Sequence, residues 1–545
     1  MQWLTTRMLC WVTLALCVQP LVPFLHAEQG VQIFNIKNYG ATGNKADDAQ
    51  KAIQNAVEAC AKAGGGTVYV PPGEYTSGTI HLRNHVRFLI DAGATLYAST
   101  NPALYDRPAL LYAEDAQNIT IEGRGTVDGQ SQYVWQKNVE HYVDIDINRV
   151  LAQAWSDARG KQLMRPYPKG QPNQEYPHMI QLRRCKDVKI ASLSFLHSPS
   201  WTINPYGCER LVIDGVYIYT NPYEAVWADG IDPDGCNDVR IANCTIETGD
   251  DSIVFYSMNW YGPALPCENI TITNCRLTSA SAALKFCDGN INCVRNVTVD
   301  NCVITGSNRG IAFMVYDGGY VENVVLSNLV INCHRFDWFW WGDGDPIYFT
   351  IQRRSESNHE LDKPGEAPAG SIRHIIIRNV IAHGQGTCLI TGHPKSWLDD
   401  ISLENVKLFI STDPASPYDK SIHAMYFQYA KNVKVRDVEV NWEKPEWEKW
   451  QSALAFEDVS GLKVDGFVGG PAKLQTKDPA VLLDKVEDAA ICNSRARAGT
   501  KVFVRVKGAT SKGIYLVGNE LHDATWAFET DTDLNEDAIK ASNNY

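Results

Sequence analysis

The sequence contains no CxxC pair, so neither a zinc ribbon nor a thioredoxin-type redox site is expected. It has no GxSxG elbow, phosphate-binding loop, HExxH or dinucleotide fingerprint, so several large enzyme classes lack their signatures here. It has no basic excess: 50 Lys+Arg stand against 63 Asp+Glu, a net charge of −13. Nucleic acid is therefore not expected as a partner, because phosphate backbones require a basic surface. Beyond the N-terminus no segment is apolar and long enough to span a bilayer. Nothing in the pattern asks for a cofactor or a metal. What is present is ordinary for a folded chain: 545 residues, 44% hydrophobic and 21% charged. Aromatic residues are plentiful, with 15 Trp, 24 Tyr and 16 Phe.

The first 27 residues read as a secretory signal. Arg7 precedes an apolar run from Leu9 to Leu25, and Leu25-His26-Ala27 offers a small residue for cleavage. Gln19, Pro20 and Pro23 interrupt the run, which suits a spanning helix poorly. The expected product is a monomer comprising residues 28–545 as one domain, secreted or periplasmic and free of the membrane. Of 15 cysteines, Cys10 and Cys17 fall in the signal, leaving 13. Export permits disulfides, and buried thiols acting as small hydrophobes are equally consistent with the strand positions many of them occupy.

Internal repetition is the strongest pattern. A polar residue followed by alternating apolar positions recurs at Asn118, Asp187, Arg210, Asp238, Asn269, Asn296, Asn323, His374, Asp400 and Asn432, with a weaker copy at Gly461. From Asp187 onward the starts lie 23, 28, 31, 27, 27, 51, 26, 32 and 29 residues apart. Alternation with period two means strands. A repeat near 27 residues means one solenoid coil per unit, since a single coil cannot bury its own apolar face. The interval of 51 fits two coils, or one coil with a long loop. The expected fold is all-β, a parallel β-helix. Asn243, Asn274, Asn301, Asn328 and Asn379 share a register position and are expected to form a side-chain ladder, with Cys244, Cys275 and Cys302 in a column beside it.

Asp47 or Asp48 is placed to cap a helix with Ile53, Ala56, Val57 and Cys60 on one face, which would close the open end of the solenoid. Two non-repeating stretches, about 130–176 and 334–370, read as insertions, where binding sites are commonly built.

Asp229, Asp232 and Asp234 lie in Trp227-Ala-Asp-Gly-Ile-Asp-Pro-Asp-Gly-Cys, and Asp250 and Asp251 follow in Thr248-Gly-Asp-Asp. The 21 residues from Asp229 to Asp250 approximate one coil, which puts both clusters on neighbouring layers of one face. Crowded carboxylates raise at least one pKa, and an acid beside an ionised base is what glycosidic hydrolysis requires. Turn chemistry and a calcium site are the other readings of such acids.

With these motifs the chain resembles glycoside hydrolase family 28, the polygalacturonase family, which has a right-handed parallel β-helix. Tyr39-Gly-Ala-Thr-Gly, Ala63-Gly-Gly-Gly-Thr-Val-Tyr-Val-Pro-Pro-Gly, Gly125-Thr-Val-Asp-Gly and Ser198-Pro-Ser-Trp-Thr-Ile-Asn-Pro carry the resemblance, and Cys236 through Asp251 is the closest stretch. Asp229 falls on the acid of the family's Asn-Thr-Asp motif, with Trp227-Ala228 in place of Asn-Thr, and Asp250 and Asp251 fall on its Gly-Asp-Asp pair. The resemblance implies single-displacement hydrolysis with inversion. Asp250 would be the general acid, while Asp229 and Asp251 hold and activate water. The family's Gly-His-Gly falls near Ser281–Phe286 with Ala282 for the His, and its Arg-Ile-Lys near Gly310–Met314 with Ala312 and Met314 for the cations. Those cations grip a galacturonate carboxylate in the family. Lys285 and Arg309 stand nearby as candidate replacements, and Trp201, Asp232 and Trp341 as further substrate-binding candidates.

The resulting expectation is a hydrolase of a pectic or other acidic polysaccharide or oligosaccharide. A rhamnogalacturonan-type hydrolase, a polysaccharide lyase and a non-catalytic glycan-binding solenoid are the rivals.

Overall fold

The computed structural model describes residues 32–133, 177–222, 225, 227–336, 342–353, 368–411, 421–444, 448–532, 534 and 538–545. The signal-like segment and Trp341 lie outside the described residues. The described chain is a right-handed parallel β-helix, with every registered strand pair parallel. The repeat read from the sequence is its coil. Val188, Leu211, Val239, Ile270, Val297, Val324, Ile375, Ile401 and Val433 stack in register along one wall. All nine are buried.

The interior is a set of such columns. Phe255, Phe286, Phe313 and Phe349 stack with successive ring centroids 5.3, 4.3 and 4.3 Å apart. Each side chain fully withdrawn from water in this way contributes about 1.5–3 kcal/mol. No coil supplies the whole of that environment; its neighbours on either side do.

The polar residue that opens each unit marks a bend. Asn118, Asp187, Asp238, Asn269, Asn296, Asn323, Asp400 and Asn432 all adopt φ of 54–60°. Asn and Asp tolerate this left-handed conformation best among residues with a side chain, which explains their recurrence. Their amides also form a ladder: Asn269 donates to Asn237, Asn296 to Asn269 and Asn323 to Asn296 at 2.8, 3.0 and 3.1 Å. The ladder expected at the second position is only partly present. Asn274 donates to Asn243 and Asn379 to Asn328, but Asn328 donates to Asp300 in place of Asn301. A carboxylate one residue away accepts more strongly than a neutral amide.

Helix α1, Gln50–Lys62, buries Ala52, Ile53, Ala56, Val57 and Cys60 at the N-terminal end. Ala49 occupies its N-cap, and Asp48 accepts the N–H of Gln50 from one residue further out. The 13 cysteines from Cys60 to Cys492 are free thiols, and all but Cys492 are buried. Cys185, Cys208, Cys236 and Cys267 precede residues that pair in register on four successive coils, so thiols fill one interior column as small hydrophobes.

The stretch 334–370 is not a single insertion. It contains the strand Asp345–Ile351, which pairs with Arg309–Val315 and Cys388–Thr391. Tyr320–Cys333 meanwhile pairs directly with Ser371–Gly384, so the 51-residue interval is one coil with long connections.

Candidate active site

The wall that carries the acids is built from short strands whose opening residues align. Thr202 N–H donates to the Asp229 carbonyl, Gly230 N–H to Asp251 and Ser252 N–H to Ala282, at 2.9, 2.9 and 3.0 Å. Ala282 pairs with Arg309, and Arg309 with Asp345. Trp201, Asp229, Asp251, Ala282, Arg309 and Asp345 therefore open six successive coils. The interior of these coils is held by Ile203, Ile231, Ile253, Leu284, Ile311 and Ile347. Ala282 belongs to a separate apolar cluster with Ala312, Met314, Tyr316 and Tyr348, outside that interior. The acids thus share one outer face.

Two glycines beside the acids, Gly230 and Gly249, serve close packing. A Cβ on Gly230 would lie 2.3 Å from the Ser252 carbonyl oxygen, and one on Gly249 would lie 2.2 Å from that of Ala225. Only glycine lets the coils approach at these points. Trp227 adopts φ of 78°, rare for an aromatic residue, and its N–H donates to Asp250 Oδ2 at 3.1 Å.

The carboxylates differ in their surroundings. Asp250 is 8% exposed, against 2% for Asp229 and 1% for Asp251. Asp251 is engaged at both oxygens: Ala282 N–H donates to Oδ1 at 3.0 Å and Lys285 Nζ to Oδ2 at 2.8 Å. Burial raises the Asp229 carboxyl above its usual range, and the charges of Asp250, Asp232 and Asp251 raise it further. Asp232 is raised by burial and by Asp251, and is eased by contact with Asp229. Asp229 Oδ1 and both Asp232 oxygens are buried with no hydrogen-bond partner among the described residues. Asp234 is pushed up to about 7 by burial, although Met258 N–H donates to it at 2.9 Å.

Lys285 is within this site, as the sequence suggested, but its ammonium is committed to protein carboxylates. Besides Asp251 it donates to Asp288 at 2.9 Å. Burial alone would lower its pKa; Asp251, Asp288 and Asp250 more than reverse this and hold it above the ordinary lysine value. Arg309 is further along the same column. It lies 3.8 Å from the Tyr348 ring centroid and donates to Asp345 at 3.4 Å. Asp345 is raised to about 8 by burial and Asp343, despite that guanidinium.

Trp201 lies one coil to the N-terminal side of Asp229. Its ring stacks with His178 and Tyr256 at 5.4 and 5.7 Å and meets Trp260 at 5.5 Å. Trp260 is 44% exposed, so the cluster reaches solvent. His178, Tyr256, Trp260 and Asp288 are not marked by any pattern in the sequence, whereas Asp234 belongs to the acid cluster read there. Asp288, three residues after Lys285, was the most readable of these.

Residues 60–333 match the family model for glycosyl hydrolases family 28. The chain belongs to this family. The matched region holds Asp229, Asp250, Asp251, Lys285 and Arg309. Among relatives, a probable polygalacturonase of Vitis vinifera is 27% identical over 273 residues, covering 45% of this chain and 49% of that protein. An exopolygalacturonase of Platanus acerifolia is 28% identical over 260 residues, covering 45% and 58%. The chain spans about half the length of the curated relatives it matches. An exopolygalacturonase structure from Thermotoga maritima superposes with TM-score 0.58 at 21% identity, covering 75% of this chain and 92% of that one. A family 28 exopolygalacturonase from Yersinia enterocolitica gives 0.57 at 20%, covering 80% and 79%. At these identities the two structures speak to the family 28 fold alone.

Proposed function

We propose that this family 28 chain is an exported, inverting glycoside hydrolase that cleaves a pectic or other acidic polysaccharide. The observation that carries this reading is the meeting of Asp229, Asp250 and Asp251 on one outer face, each in a different electrostatic setting. Asp250, the most exposed, is the general acid that protonates the leaving oxygen. Asp251, anchored by Lys285 and a backbone N–H, and Asp229, whose surroundings favour proton uptake, hold the attacking water and receive its proton. A base with raised proton affinity suits that task near neutral pH.

Ala282, Ala312 and Met314 favour a substrate other than plain polygalacturonan, with a rhamnogalacturonan-type glycan as the specific alternative. They remove three polar groups from the wall beyond the acids, and the nearby cations Lys285 and Arg309 already face protein carboxylates. The one domain is placed at residues 28–545, and export rests on the N-terminal pattern.

The test is a panel of pectic glycans followed by proton NMR of the first-released anomer. Inversion is expected, together with a loss of turnover of about 10²–10⁴-fold in Asp250→Asn. Retention of configuration, an unsaturated product absorbing in the ultraviolet, or full activity in the variant would each overturn the reading.

A further inference from the structure

The cations that the sequence offered for substrate binding are consumed inside the site, but a different one is not. Arg183 ends the strand His178–Arg183. It pairs in register with Tyr206, and Tyr206 bridges to Asp234 on the next coil. Arg183 therefore stands two coils from the acid cluster, roughly 10 Å along the axis at the strand spacing of a β-sheet. It lies on the same wall as the acids and on the side away from Lys285.

Its guanidinium is held by rings. Cζ lies 4.4 Å from the Tyr261 centroid and 5.7 Å from that of Tyr112. Arg107 approaches Tyr112 as well, at 5.5 Å. Arg183 and Tyr261 are half-buried and Arg107 is exposed, so the cluster is open to solvent. Arg183 Nη2 donates to Gln181 Oε1 at 3.1 Å, while Nε is buried with no acceptor among the described residues.

The nearest acids are occupied elsewhere. Glu114 accepts from Tyr112 Oη at 2.7 Å and from Arg184 at 2.8 Å, and Asp115 is paired with Arg184 at 2.7 Å. Gln181 donates to Asn204 Oδ1, and Asn204 to the Asp232 carbonyl, both at 3.3 Å. A line of amides thus joins Arg183 to the coil of the catalytic acids.

We propose that Arg183, clamped between Tyr112 and Tyr261, is the site that recognises the carboxylate of a uronic acid residue two coils to the N-terminal side of the cleaved bond. A guanidinium fork matches a carboxylate in two parallel hydrogen bonds. The Tyr261 ring beside it offers an apolar face to the sugar. Arg107 adds positive potential at the rim. The inference rests on the hydrolase reading for the direction of the chain along the wall, but the binding event stands apart from turnover.

The experiment is calorimetric titration of the full chain carrying Asp250→Asn, with and without Arg183→Gln. The probes are trigalacturonate, an oligosaccharide of alternating rhamnose and galacturonate, and the carboxyl-reduced counterpart of each. Arg183→Gln is expected to weaken at least one acidic oligomer tenfold or more and leave its reduced counterpart unchanged. Arg183→Lys, which keeps the charge and loses the fork, should fall between. Thermal melting of each variant confirms folding. Equal loss for acidic and reduced oligomers, no loss, or no binding of either acidic probe would overturn the assignment. Arg183-dependent binding by a wild-type chain that turns over no glycan would overturn the hydrolase reading and leave this one standing.

Discussion

Lys285 reaches back one coil to place its Nζ 2.8 Å from Asp251 Oδ2, the only cation bonded to the Asp229, Asp250 and Asp251 carboxylates among the described residues. The second carboxylate on the same ammonium, Asp288, lies 2.9 Å away. Lys285 is thus a positioning residue: it fixes the rotamer of Asp251 and lowers the proton affinity of Asp229 and Asp232.

Replacing it with methionine, Lys285→Met, removes that opposing charge. The acid cluster then holds its proton more tightly, and the acidic limb of the kcat/KM profile is expected to move to higher pH. Breaking a buried pair also costs about 3–5 kcal/mol of stability. Lys285→Arg should restore most of the stability and part of the profile. An unmoved pH profile in a folded Lys285→Met variant would show that the ion pair is structural only.

Asp234 gives a stability signature. Its folded-state pKa of about 7 lies above the ordinary aspartate value, so its contribution is complete below about pH 4 and is lost as pH rises through about 7. His178 runs the other way: burial lowers it to about 4, and stability falls as pH drops from about 6.5 toward that value. The melting temperature of Asp234→Asn should therefore decline less than that of the parent between pH 6 and pH 8, about its folded-state pKa of about 7. Parallel curves would refute the raised pKa of Asp234.

Phe313 lies between Phe286 and Phe349 with both centroids 4.3 Å away and no exposure. Phe313→Ala is expected to cost about 3–5 kcal/mol, because rigid stacked coils collapse poorly around a cavity. Chemical denaturation measures it; a loss below about 1 kcal/mol would mean that the interior column relaxes far more than close packing allows.

The repeat was legible because its cause is local. Alternating Ile and Val with an Asn or Asp at the bend is a pattern each coil must satisfy on its own, so Asn269, Asn296 and Asn323 could be aligned from spacing alone. Asp229, Asp250 and Asp251 came together for the same reason, since coil length converts sequence distance into axial distance. What stayed hidden depends on side chains crossing coils. Lys285 read as a cation available to substrate, because its ion pair with Asp251 spans 34 residues. Trp201 reads from the sequence as a substrate-binding candidate, but its contact with Trp260 comes from the connection after the strand Ile253–Ser257, whose path the repeat does not dictate. Arg183 went unremarked because nothing in Leu182-Arg183-Arg184 announces that only the second arginine meets Asp115. The cysteine columns left thiol and disulfide equally open, since stacked strands bring either pair close enough.

The aligned opening residues have a consequence for how such a molecule diversifies. The chain takes 22 residues to travel from Asp229 to Asp251 and 36 from Arg309 to Asp345, yet each trip ends on the same column. Excursions of unequal length are absorbed without retiming the next layer. New overhangs can thus be acquired above the acid-bearing wall, while the residues beneath keep their places.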